Sequence, residues 1–157
     1  VNPSITAEFA HAVYRYGHSQ LNPTIDRTLA DGTDAGLPLL TAFLSPQKFN
    51  DNGTGPGTLT GGEAAGAIVR GMTKQVGNEI DEFMTDTLRN TLVGLPLDLA
   101  AINMTRARDN GMGSLNSTRR SFFTQTGDPA LAPYSSWLDF SFSMRHPQSL
   151  RSEEPRV

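Results

Sequence analysis

The residues of this 157-residue chain that could do chemistry are few, and most of them fall in two short stretches. The first is Tyr14-Arg15-Tyr16-Gly17-His18. Imidazole is the commonest metal ligand among side chains, but the chain has 3 histidines and no cysteine. His11 and His18 stand two helical turns apart, roughly 10 Å along an axis, so one ion cannot take both. Without thiolates or a histidine pair at i, i+4, a structural zinc site lacks its ligand set. A single histidine is enough when a macrocycle supplies the remaining in-plane ligands, as haem does. Gly17 would leave the backbone bare beside the ring, so that a flat cofactor can approach. Arg15, three residues earlier on the same face, could meet a propionate carboxylate. A lone helical histidine is more often half-buried or on the surface, and spacing alone does not separate these readings.

The second stretch is "LDLAAINMTRARDNG", residues 97 to 111. It places Asn103, Arg106 and Asn110 at i, i+3 and i+7, so one stripe of a helix is amide and guanidinium instead of apolar. Such a stripe either faces a polar partner or is a solvated face. Elsewhere the glycine-rich run "NDNGTGPGTLTGG" has no strand before it and no Lys-Ser/Thr after it, which excludes a phosphate loop and a dinucleotide fingerprint. Three Asn-x-Ser/Thr triplets occur, at Asn52, Asn103 and Asn116. The pattern is short, and Asn103 falls in a predicted helix.

These residues need elements to hold them, and helical periodicity recurs along the chain while strand alternation hardly appears. Ile5 to Leu21 reads as a first helix, with Phe9, Ala12, Val13 and Tyr16 as its apolar face, Thr6 as N-cap and Glu8 in the first turn. Residues 22 to 38, rich in Pro, Gly and Asp, read as a surface connection. A short apolar segment from Leu37 to Phe49 is broken at Ser45-Pro46. Thr60 and Glu63 fit a capping box opening a helix to about Val76. Further helices are predicted from Thr85 to Val93 and from Leu97 or Asp98 to Asn110, closed by Gly94 and Gly111. "STRRSFF" reads as one more short helix, and Pro147 to Val157 as a loose polar tail. With 13 basic and 16 acidic residues the net charge is −3, with no like-charge run suited to nucleic acid. No apolar run reaches the roughly 20 residues of a membrane span, and the start at Val1 lacks a signal pattern. The chain therefore reads as one domain, and as a processed product or a piece of something longer.

Together the two stretches resemble the animal-type haem peroxidases of the peroxidase–cyclooxygenase superfamily. Tyr14 to His18 matches a proximal-histidine motif F/Y-R-x-G-H, and Leu97 to Gly111 matches a downstream helix L-D-L-x-A-x-N-x-x-R-x-R-D-H-G. Weaker likeness runs through "LPLLTAFLSP", "GAIVRGM" and "LNSTRR", so residues 5 to 123 are best matched. The resemblance implies a mainly α, irregular helical fold, of which residues 1–157 form the C-terminal, proximal part of the domain. It implies haem b or an ester-linked derivative as cofactor. His18 would be the proximal iron ligand, its second ring nitrogen donating to the side-chain oxygen of Asn103, with Arg15 and Arg106 near the haem propionates. Arg108 and Asp109 would be structural, as an ion pair or a helix cap.

The same resemblance implies reduction of hydrogen peroxide with oxidation of a small donor, a halide or a phenol, by a secreted or cell-surface protein. In the fatty-acid-oxygenating branch a tyrosine stands three residues before the proximal histidine. Arg15 stands there in this chain, as in the peroxidase branch. Two positions depart from the motif: Asn110 replaces a histidine, and Ala107 lies between the arginines. The distal catalytic residues and a calcium loop belong to segments before the proximal helix, so no catalytic residue is expected in this chain and the rest of the peroxidase is its expected partner. The rival reading is a structural or adhesion module that kept the fold without haem.

Overall fold

A computed structural model describes residues 3–150. In chain order its elements are α1 (Ala7–His11), β1 (Thr24–Ile25), β2 (Leu37–Pro38), α2 (Leu39–Leu44), α3 (Gly61–Met72), α4 (Asp86–Arg89), α5 (Leu99–Asp109), α6 (Leu115–Thr126) and α7 (Trp137–Ser141). Turns of 3₁₀ helix occupy Val13–His18, Pro46–Asn50, Leu92–Gly94, Pro129–Leu131 and Pro147–Ser149. The predicted mainly helical class holds, and no described helix is long and apolar enough to cross a membrane. Two compact units form. One is Gln20–Glu79 with Met84–Ala100; the other takes in Ile80–Phe83 and the stretches before Gln20 and after Ala100.

The Gln20–Glu79 unit holds the buried apolar side chains, Leu39, Ala42, Ala64, Ala67 and Leu88. Its longest helix, α3, opens with the predicted capping box: Glu63 Oε2 accepts from the Thr60 amide at 2.8 Å, and Thr60 Oγ1 accepts from the Glu63 amide at 3.4 Å. The buried face of α3 is small, Ala64, Ala67 and Gly71, because another backbone runs against it. The Thr28 amide donates to the Ala67 carbonyl at 3.0 Å, and a methyl at Gly71 would collide with the Asp26 carbonyl. α3 stops at Met72, short of the predicted Val76, and Gln75 turns its amide to Thr24 and Asp26 instead.

Residues 22 to 38 are more than a surface connection. β1 and β2 pair antiparallel there, Thr24 with Pro38 and Ile25 with Leu37, and Arg27 is only 2% exposed. Its Nε, Nη1 and Nη2 donate to the carbonyls of Ala35, Phe49 and Asp51 at 2.8, 2.7 and 2.9 Å. One guanidinium thus ties the Ala35 carbonyl to two carbonyls at the end of the Pro46–Asn50 turn, which a short apolar side chain cannot do. The glycine-rich loop is organised by Asp51, whose Oδ1 accepts from the amides of Gly53 and Gly55 while Oδ2 meets Lys48 Nζ at 3.0 Å. The Gly53 amide, then Lys48, hold that carboxyl below its usual range. α4 ends at Arg89 instead of continuing to Val93: the backbone leaves the helical region at Asn90 (φ −122°, ψ −18°) and Thr91 (φ −137°, ψ 37°), and Val93 (φ 48°) and Gly94 (φ 78°) beyond them are left-handed.

In the other unit the predicted continuous first helix is interrupted at Ala12 (φ −123°, ψ −72°), giving α1 and then a 3₁₀ turn. Val13, Tyr14, Tyr16 and Gly17 are all weak α-helix formers. Thr6 does cap α1, accepting from the Phe9 amide at 3.3 Å. The expected apolar face is open: Phe9 is 45%, Val13 59% and Tyr16 56% exposed. α5 ends before Gly111 (φ 74°) as predicted. α6 is longer than its sequence suggested, framed by a Ser114 cap and a left-handed Gly127. Asn116 in α6 exchanges two hydrogen bonds with the Tyr134 backbone, and the Arg119 guanidinium lies 4.2 Å from the Tyr134 ring centre. The expected loose tail is held at its start, where Ser149 Oγ donates to Glu82 Oε1 at 2.8 Å; residues 151–157 lie outside the described residues.

Candidate functional site

The 3₁₀ turn Val13–His18 carries the first stretch and α5 the second. With three residues per turn, side chains at i and i+3 eclipse, so Arg15 and His18 share a face. Ser19 closes the turn: it is buried, and its hydroxyl donates to the Tyr16 carbonyl at 2.9 Å. Ser19 escaped the sequence reading, although a serine just past the turn was the available signal. Asn103 lies mid-way along α5, half-buried like His18.

These two side chains meet across 85 residues of sequence, His18 Nδ1 standing 3.0 Å from Asn103 Nδ2. Burial first, and the Arg15 charge second, lower the imidazole pKa, so the ring favours its neutral form. The pairing is the one the motifs suggest, but the amide turns its nitrogen to the ring instead of its oxygen. As placed, Nδ2 donates to an unprotonated Nδ1, which leaves the ring proton on Nε2.

Arg15 is half-buried and Arg106 exposed, and among the described residues neither has a carboxylate partner. A Cβ at Gly17 would meet nothing within 4 Å, so the space flanking the histidine is open. Asn110, grouped by spacing with Asn103, instead donates to the Arg106 carbonyl at 2.8 Å near the end of α5. Arg108 and Asp109 form neither the expected ion pair nor a side-chain cap among the described residues; both are exposed at the helix end. His11 does not join the pair, and its buried Nδ1 has no partner among the described residues. His146 sits with Asp81 at 3.4 Å and against the Phe83 ring. A neutral imidazole, two cations without carboxylate partners and an open glycine flank are a donor set that fits haem with its propionates.

The model of the family "Animal haem peroxidase" matches residues 1–149. The chain belongs to that family. Among the relatives of this animal haem peroxidase sequence, peroxinectin A of Dictyostelium discoideum is 32% identical over 146 residues, 90% of this chain and 24% of the relative. Peroxidasin of Drosophila melanogaster is 34% identical over 123 residues, 76% of this chain and 8% of the relative. The solved structure of peroxidase A from Dictyostelium discoideum matches with a TM-score of 0.75 and 28% identity, over 97% of this chain and 27% of that one. The chain therefore spans about a quarter of the length of peroxinectin A.

Proposed function

We propose that this chain is the proximal part of a secreted or cell-surface haem peroxidase that reduces hydrogen peroxide and oxidises a small donor, a halide or a phenol. The observation that carries the reading is the approach of His18 to Asn103, 3.0 Å apart, inside a chain of the animal haem peroxidase family. When bound, haem supplies the iron centre at which peroxide is reduced.

The chain's own residues hold and tune it. His18 offers Nε2 as ligand, which requires a neutral ring, and burial with the Arg15 charge lowers its pKa in that direction. His18 would hold haem through Nε2, with the ring proton on Nδ1 and Asn103 presenting Oδ1 to accept it. A half-turn of the terminal amide exchanges Nδ2 for Oδ1 at nearly the same position, because the two ends of the group have nearly the same shape. A neutral amide draws the Nδ1 proton less than a carboxylate would, leaving an imidazole of intermediate basicity in a fixed plane. Arg15 and Arg106 supply the cations that two propionates need. Arg15 also occupies the place of the radical-forming tyrosine of the fatty-acid-oxygenating branch, which supports peroxidase chemistry. The residues of the opposite haem face belong to the remainder of the peroxidase.

Haem titration of the full polypeptide carrying this chain is expected to give a ferric high-spin Soret spectrum that His18→Ala abolishes or strongly weakens. Unchanged affinity and spectrum in His18→Ala would overturn the ligand assignment.

A further inference from the structure

The structure treats the three Asn-x-Ser/Thr triplets differently. Asn103 lies in α5 with its amide against His18. Asn116 lies in α6 with both ends of its amide engaged: Nδ2 donates to the Tyr134 carbonyl and Oδ1 accepts from the Tyr134 amide, each at 2.8 Å. A sugar on either nitrogen would break those bonds, and both asparagines are half-buried on helices.

Asn52-Gly53-Thr54 has neither obstacle. It lies between the Pro46–Asn50 turn and α3, outside any helix or strand. Asn52 Oδ1 accepts from the Thr54 amide at 3.0 Å and from the Thr54 hydroxyl at 2.6 Å. A backbone N–H needs an acceptor, so these bonds fix the amide with oxygen toward Thr54 and nitrogen away from it. Among the described residues Nδ2 has no hydrogen-bond partner. Gly53 (φ 101°) and Thr54 are exposed, and the positive φ folds the triplet so that the asparagine amide and the threonine hydroxyl lie side by side.

We propose that the folded protein carries an N-linked glycan on Asn52 and none on Asn103 or Asn116. In the transfer, Asn52 Nδ2 forms a C–N bond to the anomeric carbon of a lipid-pyrophosphate-linked oligosaccharide. The bond from that carbon to the pyrophosphate oxygen breaks, the lipid pyrophosphate leaves with the electron pair, and one amide proton is released to base; nothing is oxidised or reduced. The proposal rests on the secretory route included in the proposed function, and not on haem binding.

The test expresses the whole chain behind a cleavable signal peptide in a eukaryotic cell line and maps the lumenal and secreted product after treatment with peptide N-glycosidase. The expected result is conversion of Asn52 alone to aspartate by the glycosidase, with the gel mobility shift lost in Asn52→Gln and in Thr54→Ala and kept in Asn116→Gln. Soluble product with Asn52 unmodified, or with a glycan at Asn103 or Asn116, overturns the proposal. Insoluble product is mapped in the same way, and an unmodified Asn52 there overturns it too. Because the added signal peptide forces entry, failure of the native route shows separately, as a native chain without glycan beside a modified directed one.

Discussion

An imidazole that must offer a lone pair fails when protonated, and burial together with the Arg15 charge moves His18 away from that state. The same shift has a stability consequence. Between its lowered pKa and the ordinary histidine value of about 6.5, the unfolded chain takes up a proton that the folded chain refuses. Stability therefore falls as the pH drops through that window. In urea titrations we expect His18→Gln, which has no proton to gain there, to lose less stability on mild acidification than the parent; equal losses would show that His18 is not the group responsible. The partner residue is read by a different measurement. Asn103→Asp puts a carboxylate on Nδ1, makes the ligand more anionic and favours ferric iron, so the reduction potential of the haem-loaded polypeptide should move downward. A spectroelectrochemical titration with no change would count against the His18–Asn103 pairing. That these two side chains belong together was legible only through the resemblance of the two stretches to the family motifs, since residue type and spacing left each stretch open to a second reading. The direction in which the amide faces was not, because oxygen and nitrogen ends differ only in what surrounds them.

Local signals read well where they act locally. The Thr60–Glu63 capping box and the stop at Gly111 are contained within one turn of chain, and both stand as predicted. Arg27 shows the opposite case: its three acceptors lie 8, 22 and 24 residues further on. Nothing near Arg27 in sequence marks it as a core residue, so residues 22 to 38 look like a solvated connection. The α3 helix makes a related point with two of its glycines, Gly71 on the buried face and Gly66 off it. At Gly71 an added methyl meets the Asp26 backbone, which cannot step aside without moving β1. At Gly66 it meets the head of the flexible Arg70 side chain at 3.1 Å. We expect Gly71→Ala to destabilise the Gln20–Glu79 unit by about 1–3 kcal/mol. Gly66→Ala should fall near neutral or better, since alanine favours a helix over glycine by about 1 kcal/mol. Thermal unfolding of the two variants checks the contrast, and similar midpoints for both would mean that the backbone at Asp26 is free to yield.

The two units divide the work of folding unequally. Among the described residues every buried apolar side chain belongs to the Gln20–Glu79 unit, while the unit holding His18 and Asn103 buries only the polar Ser19 and Ser141 and leaves Trp137, Leu138 and Phe142 exposed. Apolar burial contributes roughly 25 cal/mol per Å², so elements without it open easily and their amides exchange quickly. The sequence reads Phe9, Ala12, Val13 and Tyr16 as one apolar stripe, and the break at Ala12 splits that stripe while leaving its side chains exposed. Periodicity tells which side of an element is apolar, and not what lies against it. If the stripe is covered by the remainder of a longer peroxidase, as proposed, its protection depends on that remainder. Hydrogen exchange on the isolated chain should then find the α3 amides slowest and those of α1, the Val13–His18 turn and α7 close to unprotected. The full polypeptide should slow the α1 and Val13–His18 amides by orders of magnitude while changing α3 little. Equal protection of the two units in the isolated chain would mean that the His18 unit is self-sufficient, and that its open apolar face serves something other than completing a haem pocket.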